Sequence, residues 1–526
     1  MTVPRSVRPA FDVPAFDVPP FDVNAPLSGS LGMPGWLADA AWPWRAVIIV
    51  VGSLLAVLPL LSVHHLPLVD YPNHLGRLQI YVDLPNSPAL REFYTWQWGL
   101  IPNLAVDLLV IPFTWVMMVE PAANTVILLS FLVTMVGVMA VDRQLNGAEW
   151  GLSVFGGLLL YNGAFRYGFV NYTVTIGFAL LAFALWLRFR TRVQGVGLVG
   201  FVLLGAILLI LHLFGFGLYA VCVGGYEASV FWERIRAERW RVRAEYLVMP
   251  ILAGVALLLP ASLLLFSPAS EVAGVTRWST PLWKLEALLA PLFFNQPMIE
   301  LPLIMLLIIV VGWGLLAGLL RVHGRMVLPL AVLALLFLAM PRTLYNSNYA
   351  DYRLLCGVSF FALASLRLRA GSGVRGQVIV VTLAFCLLIR VGSVLANWLP
   401  TQPILEEYGS ALAEMPPGAK LLVLRGVLGS TSADRSPPLE HVPVFAGAKQ
   451  GALVPYLFTH EATPIRLQPA VRDYGHFSPY PENATDMARY DYVLVLYQPE
   501  FRIPEGLSLQ LLKQGMTYRL FRVTRA

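Results

Sequence analysis

Apolar residues run in long blocks over most of this chain rather than alternating with polar ones. The first block covers Arg45–Val63. Others follow at Ile101–Val119, Ala123–Val141, Gly151–Asn162, Val170–Leu187, Val196–Phe214, Gly215–Phe231, Leu247–Phe266, Leu301–Leu320, Val327–Met340, Leu354–Leu366 and Val378–Asn397. Many approach the ~20 residues that a helix needs to cross a ~30 Å hydrocarbon core. Ile101–Val119 is the weakest, because Pro102, Asn103, Asp107 and Pro112 interrupt it. A broken segment at membrane depth is tolerated only where protein or a cavity covers its polar groups. Without it, the pattern predicts an α-helical polytopic membrane protein of about eleven spans.

Both ends of the chain read differently. Residues 1–43 have no core-building pattern and carry the repeat "FDVPAFDVPPFDV" at Phe11–Val23. Prolines break each copy, so the segment reads as a disordered tail, either plain linker or a short motif for a partner. It lacks the charged start and adjoining apolar run of a cleavable signal peptide. From residue 399 to the end the chain turns polar. "KLLVLRGVL" at Lys420–Leu428, "YDYVLVLY" at Tyr490–Tyr497 and "YRLFRV" at Tyr518–Val523 are strand-like, and "ILEEYGSALAEMPPG" reads as a helix stopped by Pro and Gly. A C-terminal α/β domain over 399–526 is expected, outside the membrane region of 44–398. No Gly-rich loop opens its helices, so nucleotide binding has no support there.

Charge sets the orientation. The clusters Arg188–Arg192, Glu233–Arg243, Arg321–Arg325 and Arg367–Arg375 are rich in arginine and should face the cytoplasm. The N-terminus then also lies inside. The outer face receives a long loop (His64–Ala122), the Ala164–Tyr172 connection, Ser267–Glu300, Pro341–Arg353 and everything after Trp398. A multi-pass protein of a bacterial inner membrane, with a periplasmic C-terminal domain, fits this layout. Composition agrees: 57% of the 526 residues are hydrophobic and 13% charged, against about 25% charged in soluble chains, and mean hydropathy is +0.67. The net charge of +6 sits mainly in those clusters, which topology explains and nucleic-acid binding does not. Cys222, Cys356 and Cys386 lie in apolar blocks with no metal-ligand spacing.

Candidate chemistry gathers in the outer loops. In "LPLVDYPNHLGRL" (Leu66–Leu78), Asp70 and His74 share a face if a helix starts there with Pro72 in its first turn. The helix dipole favours an ionised Asp70, fit to act as general base toward a hydroxyl; the alternative is an N-cap with a satisfied histidine. His64 and His65 read as interface residues. Asp107 is either an acid lining a cavity or a solvated loop residue. Arg166 and Asn171 face outward, and His212 is a cavity residue or a hydrogen-bonded core histidine. Arg353 follows Asp351 and Tyr352 at the mouth of a span. It either forks onto a phosphate or snorkels at the interface.

An acidic residue just past the first span, opening a long outer loop, resembles the first-loop aspartate of the GT-C glycosyltransferases. "YADYRLLCGVSFFALASL" is similar to the late segment of those enzymes in which an arginine lies near the donor phosphate, and "DRQLNG" and the α/β tail also look like bacterial members. The resemblance implies sugar transfer from a polyprenyl-phosphate-linked donor to a glycan, glycolipid or protein acceptor at the outer face, with inversion. It implies Asp70 as base and Arg353 at the lipid phosphate; His74 and Asp107 are candidate helpers without a counterpart in the family, and Tyr352, Arg166, Asn171 and His212 are substrate-binding candidates by their placement in this sequence. Many members carry a paired acid where Asp70 is followed by Tyr71. A divalent ion, Mg2+ or Mn2+, would need oxygen ligands, for which Asp70, Asp107 and Glu300 are the candidates. A transporter of lipid-linked sugars and a non-catalytic assembly subunit are the competing readings, although no repeat among the spans supports the former.

Overall fold

The computed structural model describes residues 42–147, 152–267, 274–345, 347–369, 371–425, 441–459, 463–474, 484–496, 503 and 505–524. The Phe11–Val23 repeat lies outside these. Most apolar blocks become helices. Among the described residues six are long and apolar enough to cross a membrane: Val119–Asn146, Val170–Arg192, Leu213–Ala237, Ala244–Phe266, Pro297–Leu316 and Gly373–Leu412. Val47–Leu61, Val196–Leu211 and Gly324–Ala339 are shorter apolar helices, as is Ala350–Ser365.

Two blocks depart from regular helix. Ile101–Val119 is broken as its prolines demand, into the helix Ala105–Val110 and a 3-10 turn at Ile111–Trp115. Gly151–Asn162 is not the α-helix its apolar composition suggests: Leu152–Leu159 is a 3-10 helix. At about 2 Å per residue, eight residues rise only ~16 Å, half of the ~30 Å core. Most of its residues are buried in the bundle, where the protein rather than lipid surrounds its backbone.

The basic clusters meet at one end of the bundle. Strands β2 (Leu320–Val322) and β3 (Leu366–Leu368), which follow the short strand β1 (Tyr94–Trp96), pair antiparallel and set Arg321 opposite Arg367. Arg325 Nε donates to Glu233 at 2.9 Å. Arg190 Nε donates to Glu227 at 2.8 Å, and both Arg190 and Arg325 lie over the Tyr226 ring. All four clusters therefore sit within one polar network. At the other end of the helices, Val69 N donates to Arg166 O and Leu213 N to Pro102 O. The first loop and the turns between helices are knit together there.

The chain after Trp398 joins that second end. Gln402 accepts from His64 N and His65 N at 3.2 and 3.0 Å, and His65 Nδ1 meets Glu120 at 2.7 Å. Strands β4 (Leu421–Arg425), β6 (Tyr492–Leu496), β7 (Ser508–Gln514) and β8 (Tyr518–Thr524) form a mixed sheet in the order β4-β6-β8-β7. β4 and β6 are parallel and the other neighbours antiparallel. The core of this unit is built together with the first loop. Ile80, Leu90, Phe93 and Tyr94 of the first loop share its core with Tyr408, Leu421, Val444 and Leu494. β1 also pairs with β5 (Ile465–Leu467), with Thr95 opposite Arg466.

Reporter fusions placed after Arg243 and at the C-terminus should report opposite sides of the membrane. Both on one side would contradict the assignment of the basic end to the cytoplasm.

Candidate active site

The helix Tyr71–Asp83 organises the site. Pro72 stands in its first turn, and Asp70 occupies the N-cap position, although its carboxylate accepts no capping hydrogen bond. The side chain is turned elsewhere: Oδ1 lies 3.4 Å from His441 Nε2, and the carboxylate is 21% exposed. The Asp70 backbone is held by the Ala164–Tyr172 connection, since Asp70 N donates to Tyr167 O at 3.0 Å. Gly168 makes that approach possible. It has φ +77°, and a Cβ there would come within 2.6 Å of Tyr71 N and 2.7 Å of Asp70 N, so only glycine suits both the conformation and the space.

One turn on, the helix carries a buried ion pair. Arg77 forks onto Asp107 with Nε–Oδ1 2.7 Å and Nη2–Oδ2 2.8 Å, and the two side chains are 3% and 0% exposed. Asp107 is thus not a solvated loop residue; its charge is taken up by Arg77. His74 Nδ1 lies 3.1 Å from Arg77 Nη2. Burial, reinforced by the Arg77 charge, pushes His74 well below the ordinary histidine range, so the ring is neutral and accepts from the guanidinium. Asn171 pins the same loop. Its Oδ1 accepts from Val106 N at 2.6 Å, and its Nδ2 donates to Asn103 O at 2.7 Å.

His212 separates the helices Val196–Leu211 and Leu213–Ala237. Its Nδ1 caps the second by accepting from Phe214 N at 3.1 Å, the hydrogen-bonded alternative of the two expected. Its ring lies 5.4 Å from that of Tyr172, whose hydroxyl donates to Arg353 O.

Arg353 enters from the first turn of Ala350–Ser365. It is 9% exposed. The guanidinium stacks on Phe169 at 3.8 Å, and Nη1 donates to Ser347 at 2.5 Å. Nε has no hydrogen-bond partner, and no carboxylate lies within 4.0 Å among the described residues. The carboxylate whose charge acts on it is that of Asp70. A buried cation without a paired anion is costly, and such a group is ready to receive one. Tyr352 beside it packs at 5.4 Å from Tyr349, whose ring stacks on Tyr167 at 4.2 Å.

Other candidates lie apart. Arg166 Nε donates to Asn295 at 2.7 Å while its backbone supports Val69. Glu300 pairs with Arg390 at 2.7 Å and accepts from the backbone N–H groups of Phe294, Asn295 and Gln296. Asp70, Asp107 and Glu300 therefore do not converge, and no group of three His, Cys, Asp or Glu suited to a metal occurs among the described residues. This donor set does not fit a divalent ion. A cavity of about 500 Å³ opens between Val136, Arg143, Gln144 and Arg188; it carries no acid or nucleophile and adjoins the basic end. Sequence reasoning did not single out His441 or Gly168. "FRYGFVNY" held a signal for the second, a glycine inside a tight polar connection, whereas nothing local marks His441.

Replacing Arg77 with Met should destabilise the protein by about 3–5 kcal/mol, because it strands a buried carboxylate. Thermal unfolding in detergent reads this directly. Replacing Asp107 with Leu in the same chain should recover much of the loss, and a wild-type melting temperature for Arg77→Met would contradict the structural role of the pair.

No protein-family model matches this sequence, and a search of curated proteins finds no match. Solved structures do match. The chain aligns with ArnT from Cupriavidus metallidurans, crystallised bound to undecaprenyl phosphate, at TM-score 0.52 and 12% identity, over 92% of this chain and 98% of that one. At such identity the likeness is one of architecture. The chain shares the membrane-protein fold of ArnT, in keeping with the family resemblance noted in the sequence.

Proposed function

We propose that the protein transfers a sugar from a polyprenyl-phosphate-linked donor to an acceptor hydroxyl at the outer face of the membrane. One observation carries this reading: Arg353, a buried guanidinium without a carboxylate partner, lies within electrostatic reach of Asp70, at the end of the bundle away from the arginine clusters. The similar architecture of ArnT, whose structure holds undecaprenyl phosphate, supports a lipid phosphate as the anion that Arg353 receives.

In this mechanism Asp70 takes the proton from the acceptor hydroxyl as its oxygen attacks the anomeric carbon. The bond from that carbon to the phosphate oxygen breaks, and the pair of electrons leaves with the lipid phosphate. Arg353 holds the charge that grows there. Attack opposite the leaving group inverts the anomeric centre. No step runs through a metal ion. Arg77, His74 and Asp107 keep the Asp70 helix in place rather than touching the sugar. We assign about eleven crossings, counting the buried segment at 152–159, which by itself spans only part of the core, with the sheet β4-β6-β8-β7 on the outer side covering the site.

The assay is transfer from a purified polyprenyl-phosphate sugar, at matched protein levels. Asp70→Asn keeps shape but removes the base, and should lower turnover by about 10²–10⁴. Wild-type turnover by this variant would remove the main support for the reading. Arg353→Lys retains charge but not the planar fork, and should raise the barrier by about 2–4 kcal/mol. A lysine variant with unchanged turnover would return Arg353 to a packing role.

A further inference from the structure

The C-terminal unit contributes a side chain to Asp70 itself. His441 stands at the start of the helix Val442–Lys449, with Pro443 in the first turn. This helix lies against Tyr71–Asp83 so closely that a Cβ on Gly76 would come within 2.9 Å of Val444. Across the contact His441 Nε2 is 3.4 Å from Asp70 Oδ1. The ring is 5% exposed and lies 5.3 Å from the ring of Phe458 and 5.8 Å from that of Tyr456. The same segment bonds the Asp70 helix a second time, as Phe458 N donates to Asn73 Oδ1 at 3.0 Å.

Nδ1 of His441 has no hydrogen-bond partner, and the nitrogen that faces a carboxylate carries the proton. The imidazole therefore presents Nε2–H towards Oδ1. The separation is longer than a tight hydrogen bond, and such contacts commonly close when substrate fills a site. With Oδ1 engaged by His441, Oδ2 is left to accept the acceptor's proton.

We propose that His441 is a positioning residue for Asp70, so that the C-terminal unit completes the catalytic site rather than merely covering it. This rests on the proposed sugar transfer and on Asp70 being its base. Arg77 and Asp107 anchor the helix that carries Asp70; His441 orients the carboxylate directly.

Steady-state kinetics with a purified polyprenyl-phosphate sugar donor test it, on full-length variants with matched gel-filtration profiles and melting temperatures. A misplacement of about 1 Å near reacting atoms can cost on the order of 10²-fold in rate. His441→Ala should accordingly lower kcat by about 10- to 100-fold with little change in KM for the donor. His441→Gln, which restores an N–H donor, should recover most of that loss. In an Asp70→Asn background, removing His441 should cost nothing further, since residues that act through one another are not additive. Wild-type kcat for His441→Ala, or the same fold-loss with and without Asp70, would overturn the proposal and leave His441 as packing. A wild-type protein that transfers no sugar would overturn the functional reading, and this inference with it; an active wild type with additive losses overturns this inference alone.

Discussion

The helix Tyr71–Asp83 has almost no solvent side over its first two turns, and that burial constrains everything around it. Tyr71, Asn73, His74, Leu75, Arg77 and Leu78 are all buried, although the helix is no more apolar than many surface helices. It is pressed between the membrane bundle on one side and Val442–Lys449 on the other. Such a helix can keep a charge only if the charge is paired, and Arg77 meets Asp107. It can approach a second helix closely only where a side chain is missing, and Gly76 stands against Val444. Fixing the helix fixes Asp70 at its start.

Buried cations elsewhere sort themselves by partner. Arg77 has Asp107, Arg390 has Glu300, and Arg190 has Glu227. Each pairing compensates the desolvation of both ions, and each joins two segments that the chain separates by tens of residues. Arg353 lacks such an acid. It rests on the face of Phe169 and gives one hydrogen bond to Ser347, contacts that hold a guanidinium in place without neutralising it. That difference separates a structural arginine from one poised for an anion.

The first loop and the C-terminal unit behave as one body at the end of the bundle away from the arginine clusters. Their shared core and the pairing of β1 with β5 mean that neither segment buries its apolar surface alone. Loss of either would expose Tyr94, Tyr408 and Leu494 together. The same docking brings His441 to Asp70, so one interface both buries the shared core and sets the surroundings of that carboxylate.

Much of this could be read from residues in order. Blocks of apolar residues predict helices because the bilayer demands internally satisfied backbone over a fixed thickness, and Pro102 and Pro112 foretell the break that the structure shows at 101–119. Pro72 placed the helix start, and Asp70 and Arg353 stood out as polar groups at the mouths of spans. The same composition could not distinguish the 3-10 turn at 152–159 from a helix, because apolarity sets burial and not hydrogen-bond register. Nor could it show that Asp107 belongs to Arg77, that Glu300 belongs to Arg390, or that His441 faces Asp70. Hydropathy is a local property and was determined by the sequence alone; which charge meets which across 30 to 371 positions was decided by tertiary packing, since only the folded chain brings those side chains within reach of one another's fields.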